Sequence, residues 1–306
     1  MVEYRLNPIE GKGIGKINVG IESSFTSEYI GTPLYFGKLE NGSDVVLKFT
    51  RIPGGALREF NGLSLANTHS VSSPKAIALI QRDETPTDGF IMERIEGKPL
   101  NEVGNAYHEY QFGHELSKLH EIQLPGYGPI TNGAGQFDNS DLYLQYWLGK
   151  TIPHMGEQSI ATQLLKKLFI QGREHIIGQQ PRLLHRDIKD ENVLVQPNGN
   201  ISIIDFEWAQ GGNPFDDLGV YLYHAIRTNK PQDRVQSFFK GYFGEKELTD
   251  VEKYDLLFHL MLTAGRTLSF CVRMNPTRTN EAIEDMNKAT NYVEDMLKTT
   301  PGYNAG

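Results

Sequence analysis

Leu183-Leu184-His185-Arg186-Asp187-Ile188-Lys189-Asp190-Glu191-Asn192-Val193-Leu194-Val195 runs through Pro197-Asn198-Gly199-Asn200 into Ile201-Ser202-Ile203-Ile204-Asp205-Phe206-Glu207-Trp208. An apolar pair leads into a polar loop, and two short apolar runs flank a turn. Val193 to Val195 and Ile201 to Ile204 have the composition of strands, and Asn198-Gly199 between them is the strongest short hairpin signal. The spacing predicts a hairpin with Asp187 and Asn192 in the loop before its first strand and Asp205 just after its second. Three oxygen-bearing side chains then converge at one end of a rigid element. Hard cations such as Mg²⁺ take that ligand set, and phosphoryl transfer needs such cations. An Asx-capped hairpin without chemistry would explain a single Asp-Asn pair. It does not explain the whole two-part pattern between apolar strands.

Composition narrows the classes outside this stretch. A chain of 306 residues can bury a sizeable core and hold one large or two modest lobes. The net charge of −8 argues against a nucleic-acid partner, since phosphate backbones want clustered Lys and Arg. It is compatible with a cationic substrate. The single cysteine, Cys271, cannot form an intrachain disulfide and suits a reducing compartment, so a cytoplasmic location is expected. Met1 to Pro8 lacks an apolar signal core, and the apolar stretch from Leu256 to Val272 is broken by His259 and Arg266, so no membrane span is expected.

His185-Arg186-Asp187-x-Lys189-x-x-Asn192 with Asp205-Phe206-Glu207 resembles the catalytic loop and metal-binding motif of the protein-kinase-like superfamily. The resemblance implies an α+β, two-lobed fold. A small antiparallel-sheet N-terminal lobe spans residues 1–96, and a larger, mainly helical C-terminal lobe spans residues 97–306. It also implies roles. Asp187 orients the acceptor hydroxyl and takes its proton, Lys189 neutralises the moving phosphoryl group, and Asn192 and Asp205 hold Mg²⁺.

The upstream sequence supplies the partners that such a lobe requires. Ile17 to Ile21, Tyr29 to Leu39 (with a break at Gly31-Thr32-Pro33) and Asp44 to Thr50 read as strands, the third carrying Lys48. Gly11 to Lys16 fits neither glycine-rich phosphate motif, because Ile17 stands where a hydroxyl should be, and it reads as a turn. The loop Glu22 to Ser27 is the expected phosphate cover, with Ser23, Ser24, Thr26 and Ser27 offering hydroxyls and backbone donors. Lys48 is expected on the nucleotide α/β-phosphates, steadied by Glu59 on a helix from Ala56 to Asn67. Arg58 stands beside Glu59, and the helix phase decides which of them faces Lys48. Lys75 to Gln81 and Phe90 to Ile95 read as strands around a polar turn from Asp83 to Gly89. Met92 should border the adenine, the backbone of Glu93 to Ile95 should meet its edge, and Gly97 is a hinge candidate.

Helices are expected at Asn105 to Glu121, Asp141 to Lys150, Glu157 to Ile177, Gln232 to Phe243, Thr249 to Arg273 and Thr279 to Leu297. His120 reads as a packed or capping residue. The Gly/Asn-rich loop from Leu124 to Asn139 is where substrate specificity often lives. The acidic residues Glu281, Glu284, Asp285, Glu294 and Asp295 read as a solvated helix face, with a cation-binding wall as the alternative.

The chain passes from Trp208 to Pro214-Phe215-Asp216-Asp217-Leu218 in a few residues and enters a helix at once. A protein kinase carries a long activation segment there. The short link, with Asp-Phe-Glu in place of Asp-Phe-Gly, is similar to the aminoglycoside-phosphotransferase and choline-kinase-like branch. Asp217, or its neighbour Asp216, is expected to anchor the catalytic loop, and Arg186 to meet a structural carboxylate. The resemblance implies an ATP- or GTP-dependent kinase, with Mg²⁺, acting on a small-molecule hydroxyl. An aminoglycoside-type antibiotic leads the acceptor list, and an amino alcohol or a sugar is the alternative. A protein kinase would share the loop, and a nucleotide-binding pseudokinase would have lost one of Lys48, Asp187, Asn192 or Asp205.

Overall fold

Alternation in β4 (Asp44–Phe49) sets the geometry of the N-terminal region. Val45 and Leu47 join Ala78, Ile80 and Ile91 in a small apolar cluster on one face of the sheet. With a side-chain period of two, Val46 and Lys48 face the other way. The computed structural model describes residues 5–8, 18–19, 34–39, 41–50, 54–82, 85–130 and 133–298. Within them a six-stranded antiparallel sheet runs in the order β1-β5-β6-β4-β3-β2. Its other strands are β1 (Arg5–Pro8), β2 (Asn18–Val19), β3 (Leu34–Lys38), β5 (Ala76–Arg82) and β6 (Thr85–Glu93). Helix α1 (Gly55–Thr68) packs on β5 and β6 through Ala56, Phe60 and Leu63.

Two details differ from the sequence reading. Residues Arg5–Pro8 add an edge strand on β5, where Pro8 costs no interior ladder bond. The turn expected from Asp83 to Gly89 is shorter, because β6 starts at Thr85. Gly89 lies in the strand opposite Phe49, and a Cβ there would sit 2.7 Å from the Lys48 carbonyl oxygen.

The remainder is mainly helical. It comprises β7 (Lys98–Pro99), α2 (Leu100–Val103), α3 (Ala106–Leu119), β8 (Gly128–Pro129), α4 (Ser140–Met155), α5 (Ile160–Gly178), β9 (Arg182–Leu184), β10 (Val193–Val195), β11 (Ile201–Ile203) and β12 (Gln210–Gly212). Four helices close it: α6 (Phe215–Arg227), α7 (Gln232–Phe243), α8 (Asp250–Met274) and α9 (Thr279–Lys298). Side-chain caps fix the helix starts. Asn105 accepts from Tyr107 and His108, Asn139 from Leu142, Ser159 from Thr162, and Thr249 forms a reciprocal capping box with Glu252. Helix α4 runs past the expected end at Lys150 and carries Pro153 in its last turn.

Two three-stranded sheets frame the loop from His185 to Asn192. The predicted hairpin pairs β10 with β11, and β7 adds to β10; β9 and β8 flank β12. Gly97 lets β7 approach, since a Cβ there would lie 2.9 Å from the Val195 carbonyl oxygen. The main core runs from α1 through Phe112, Leu168, Ile203 and Phe206 to Leu260 and Val293. Among the described residues no helix is long and apolar enough to cross a membrane.

Candidate active site

The loop from His185 to Asn192 hangs between β9 and β10, and two adjacent carboxylates at the start of α6 hold it. Asp217 takes its backbone, accepting from the His185 N–H at 2.7 Å and the Arg186 N–H at 2.8 Å. His120, at the C-terminal cap of α3, pins Asp217 from behind at 3.1 Å and bonds the Tyr242 hydroxyl at 2.7 Å. Asp216 takes the Arg186 side chain at 2.6 Å and Arg266 at 2.7 Å. Both rivals for the anchoring role therefore contribute, one through the backbone and one through the guanidinium. Burial alone would raise the Asp216 carboxyl, but Arg186 and Arg266 hold it well below the usual carboxylate range.

Arg186 and Asp205 both have left-handed backbones, with φ of 70° and 67°. Such conformations are unfavourable for residues with a Cβ and persist only where surrounding bonds over-determine them. His185 supplies part of that constraint. Its Nε2 donates to the Ile204 carbonyl at 2.8 Å, leaving Nδ1 as acceptor for the Asp187 N–H at 3.3 Å.

Asp187 is gripped on one carboxylate oxygen. Lys189 Nζ donates to Oδ2 at 2.7 Å and Asn192 Nδ2 at 2.8 Å, while the same Asn192 amide reaches the Asp187 carbonyl at 2.8 Å. Burial disfavours the charged form of Lys189, but the Asp187 carboxylate more than reverses this and its pKa rises. A second group forms around Lys48. Its Nζ lies 2.8 Å from Glu59 Oε2 and 2.5 Å from Asp205 Oδ1. The helix phase thus turns Glu59 to Lys48, while Arg58 donates to the Glu207 carbonyl at 3.3 Å. Burial opposes charge on Lys48, yet the two carboxylates push its pKa up. Glu59 is lifted by its own burial, against the pull of Lys48 and with help from Asp205. The backbone ties the two groups together, because the Asn192 carbonyl accepts the Ile204 N–H at 2.9 Å.

The sheet register places Met92 opposite Val46 and Phe90 opposite Lys48, so Met92 shares the face that carries Lys48. Of the backbone donors expected at an adenine edge, those of Glu93 and Arg94 are spent on the Lys75 and Asp44 carbonyls, at 2.9 and 3.2 Å. Ile95 is the donor that remains in that stretch. Ser23, Ser24, Thr26 and Ser27 lie outside the described residues.

With this geometry in hand, the family can be read from comparison. The model of the family described as "Phosphotransferase enzyme family" matches residues 30–257, which include Lys48, Glu59 and the whole loop from His185 to Asp217. The chain belongs to that family. Solved structures share its fold. A thermostable mutant of aminoglycoside phosphotransferase APH(4)-Ia, in a ternary complex with ADP and hygromycin B, is 15% identical with a TM-score of 0.61, covering 95% of this chain and 96% of that one. A microcompartment-associated aminopropanol kinase is 17% identical with a TM-score of 0.63, covering 92% and 93%. A serine/threonine-protein kinase of Saccharomyces cerevisiae, PSK1, is 26% identical over 156 residues. The match covers 41% of this chain and spans only a tenth of that protein's length.

The phosphotransferase carries a donor set that fits a hard cation. Asn192 spends its amide hydrogens on Asp187, which turns its acceptor oxygen away from that residue, and Asp205 adds a carboxylate that is 31% exposed. Among the described residues no group of three or more His, Cys, Asp or Glu side chains forms a metal cage. Two protein oxygens completed by phosphates and water is the arrangement Mg²⁺ favours.

Several residues of the site escaped the sequence reading. Glu207 sits where burial and the Asp205 charge raise its carboxyl, and Asp187 acts in the same direction; the Glu that replaces Gly in Asp-Phe-Glu was its visible signal. Arg266 and His259 surround Asp216, and their signal was a charge and an imidazole interrupting an apolar helix.

Proposed function

We propose that the phosphotransferase moves the γ-phosphoryl group of ATP or GTP to a hydroxyl of a small molecule. One observation carries this reading: Asp187 is held by Lys189 and Asn192 while Lys48, set by Glu59, meets Asp205, and two backbone-linked halves of one centre result. Asp187 orients the acceptor hydroxyl and takes its proton through the carboxylate. Lys189, already beside that carboxylate, stabilises the charge on the phosphoryl group in flight. Lys48 grips the α/β-phosphates, Ser23, Ser24 and Ser27 cover them, and Met92, the Glu93 carbonyl side and the Ile95 N–H receive the base. Asn192 and Asp205 would hold Mg²⁺, which would supply neutralisation of charge on the phosphate oxygens. The cleft lies between a lobe of residues 1–96 and one of residues 97–306, in a cytoplasmic protein.

An aminoglycoside-type acceptor is the first class to test, because a neighbour of this fold holds hygromycin B with ADP and the chain is acidic. Amino alcohols come next, given the aminopropanol kinase neighbour, and sugars after them. The protein-kinase reading draws on the shared loop motif and on the yeast match. Only the short strand β12 stands between Trp208 and α6, which leaves little room for a segment that docks a polypeptide.

The test is ADP release across a panel of aminoglycosides, amino alcohols, sugars and generic protein substrates. One small-molecule class should turn over, and Asp187→Ala should lower its kcat about 10³-fold or more while nucleotide binding persists. Turnover of proteins alone would sink the small-molecule reading. Undiminished kcat in Asp187→Ala would sink the base assignment.

A further inference from the structure

Asp190 opens the 3₁₀ turn Asp190–Asn192 within the catalytic loop, and cations from outside the loop take both of its carboxylate oxygens. Lys230 Nζ lies 2.5 Å from Oδ1, and Arg234 Nη2 lies 3.4 Å from Oδ2. Each cation also binds a second carboxylate. Lys230 Nζ is 2.8 Å from Glu109 Oε1, and Arg234 reaches the same oxygen with Nε at 3.0 Å and Nη2 at 2.6 Å. The Tyr221 hydroxyl donates to Glu109 Oε2 at 3.0 Å, and its ring lies 4.7 Å beneath the Lys230 ammonium. Two carboxylates and two cations thus alternate in a closed, charge-balanced ring. Glu109 is fully buried and the Lys230 side chain is 5% exposed.

The ring joins a rigid body to a loop. Glu109 is on α3 and Arg234 on α7, and these helices meet backbone to backbone at glycines. A Cβ on Gly113 would lie 2.0 Å from the Phe238 carbonyl oxygen, and one on Gly241 would lie 2.0 Å from that of Tyr110. Lys230 closes the turn after α6, its N–H bonded to the Ala225 carbonyl at 2.9 Å. Asp190 alone among the four sits in the catalytic loop. Stability is a weak reason to keep such a ring, because buried ion pairs seldom outperform apolar packing once desolvation is counted.

We propose that the ring positions the reacting centre: Lys230 and Arg234 hold Asp190, and through it the turn that sets Asn192 against Asp187. The Asn192 grip on Asp187 consists of two bonds of 2.8 Å, so a shift of the turn by about 1 Å breaks it, and misplacement of that size costs about 10²-fold in rate. Lys230 and Arg234 are positioning residues, acting through Asp190.

Asp190→Asn is the decisive variant, because it keeps the side chain's shape and leaves Glu109 with both of its cations. Lys230→Arg accompanies it as the charge-conserving control. Lys230→Met is avoided because it strips buried Glu109 of a partner. The first readout is amide hydrogen exchange of the full chain by mass spectrometry, which needs no acceptor. In Asp190→Asn, peptides covering residues 186–194 should exchange about tenfold faster, with those of α3 and α7 unchanged. Lys230→Arg should match the native chain. Unchanged exchange in the loop overturns the proposal, whatever happens to thermal stability. The second readout rests on the function proposed above and uses the acceptor found by the panel. The kcat should fall on the order of 10²-fold with the nucleotide KM within about twofold. A loosened loop with unchanged kcat overturns the positioning role. Failure of every acceptor counts against the proposed function and leaves the exchange result to decide this one.

Discussion

On one side of the catalytic loop a single ammonium, Lys48, is shared by the carboxylates of Glu59 and Asp205, with Glu207 close enough to feel them. On the other side a single carboxylate, Asp216, is shared by the guanidiniums of Arg186 and Arg266, with the His259 imidazole 3.4 Å away. The two clusters combine opposite charges in inverse proportion. The first has an excess of negative charge and one member, Asp205, that is partly open to solvent. It is under-neutralised in the way a site for a cation and a polyphosphate should be. The second is built round a fully buried carboxylate, and its excess of cations keeps Asp216 ionised. Charge excess that stays open to solvent invites a ligand, whereas charge excess inside a core locks a conformation.

The sharpest way to break this comparison is to neutralise one carboxylate on each side. Asp205→Asn should reduce kcat about 10⁴-fold, roughly 5 kcal/mol of transition-state stabilisation, because phosphoryl transfer depends on positioned charge. Its thermal midpoint should stay within about 3 °C of the native value, since Lys48 keeps Glu59. A midpoint drop comparable to that of a core mutation would show that the first cluster is structural as well.

Asp216→Asn should do the reverse. It strands two buried guanidiniums, and breaking a buried ionic group in this way costs about 3–5 kcal/mol of folding stability. Urea unfolding measures this directly, and a loss below about 1 kcal/mol would remove the distinction between the clusters.

The smallest effect is a pH dependence. Burial lowers the affinity of His259 for a proton, but Asp216 and Asp255 raise its pKa above the ordinary 6.5. A group whose folded pKa is raised stabilises fully below its unfolded pKa, and that contribution is lost as pH rises through the folded value. His175, raised by its hydrogen bond to Asp255, acts in the same direction. Stability should therefore decline above about pH 6.5, and His259→Gln should flatten that limb. His224 has the opposite sign. Burial lowers its pKa to about 4, so stability should rise with pH between about 4 and 6.5. Thermal midpoints measured across this range in both chains test the point, and an unchanged alkaline slope in His259→Gln would refute it.

Much of the fold was legible because it follows local rules. The hairpin was predicted from apolar runs around Asn198-Gly199, and Gly199 adopts φ 82° in that turn. Helices with apolar stripes and capping side chains were placed to within a few residues. The short strands β7, β8, β9 and β12 were not. They are two or three residues long, several contain Gly or Pro, and only their partners make them strands. The acidic positions of α9 were read as a solvated face, and the structure pairs Glu281 with Arg227 and Arg278, Asp285 with Arg227, and Asp295 with Lys298.

The sequence by itself determined which residues are candidates for the chemistry, because Asp187, Asn192 and Asp205 stand at spacings fixed by one loop and one hairpin. It also pointed to Lys48, because the downstream motif calls for a lysine on the third strand, where alone it would read as a side chain snorkelling to water. Tertiary structure alone decided how those residues are held. Glu59 rather than Arg58 faces Lys48 because α1 docks on the sheet in one phase. Asp216 and Asp217 divide the anchoring because α6 aims its first turn at the catalytic loop. Lys230 and Arg234 meet Asp190 from 40 and 44 residues away, and Glu109 joins them through the same two cations. Local patterns encode what a residue can do, whereas its partners depend on packing among elements that no sequence window spans.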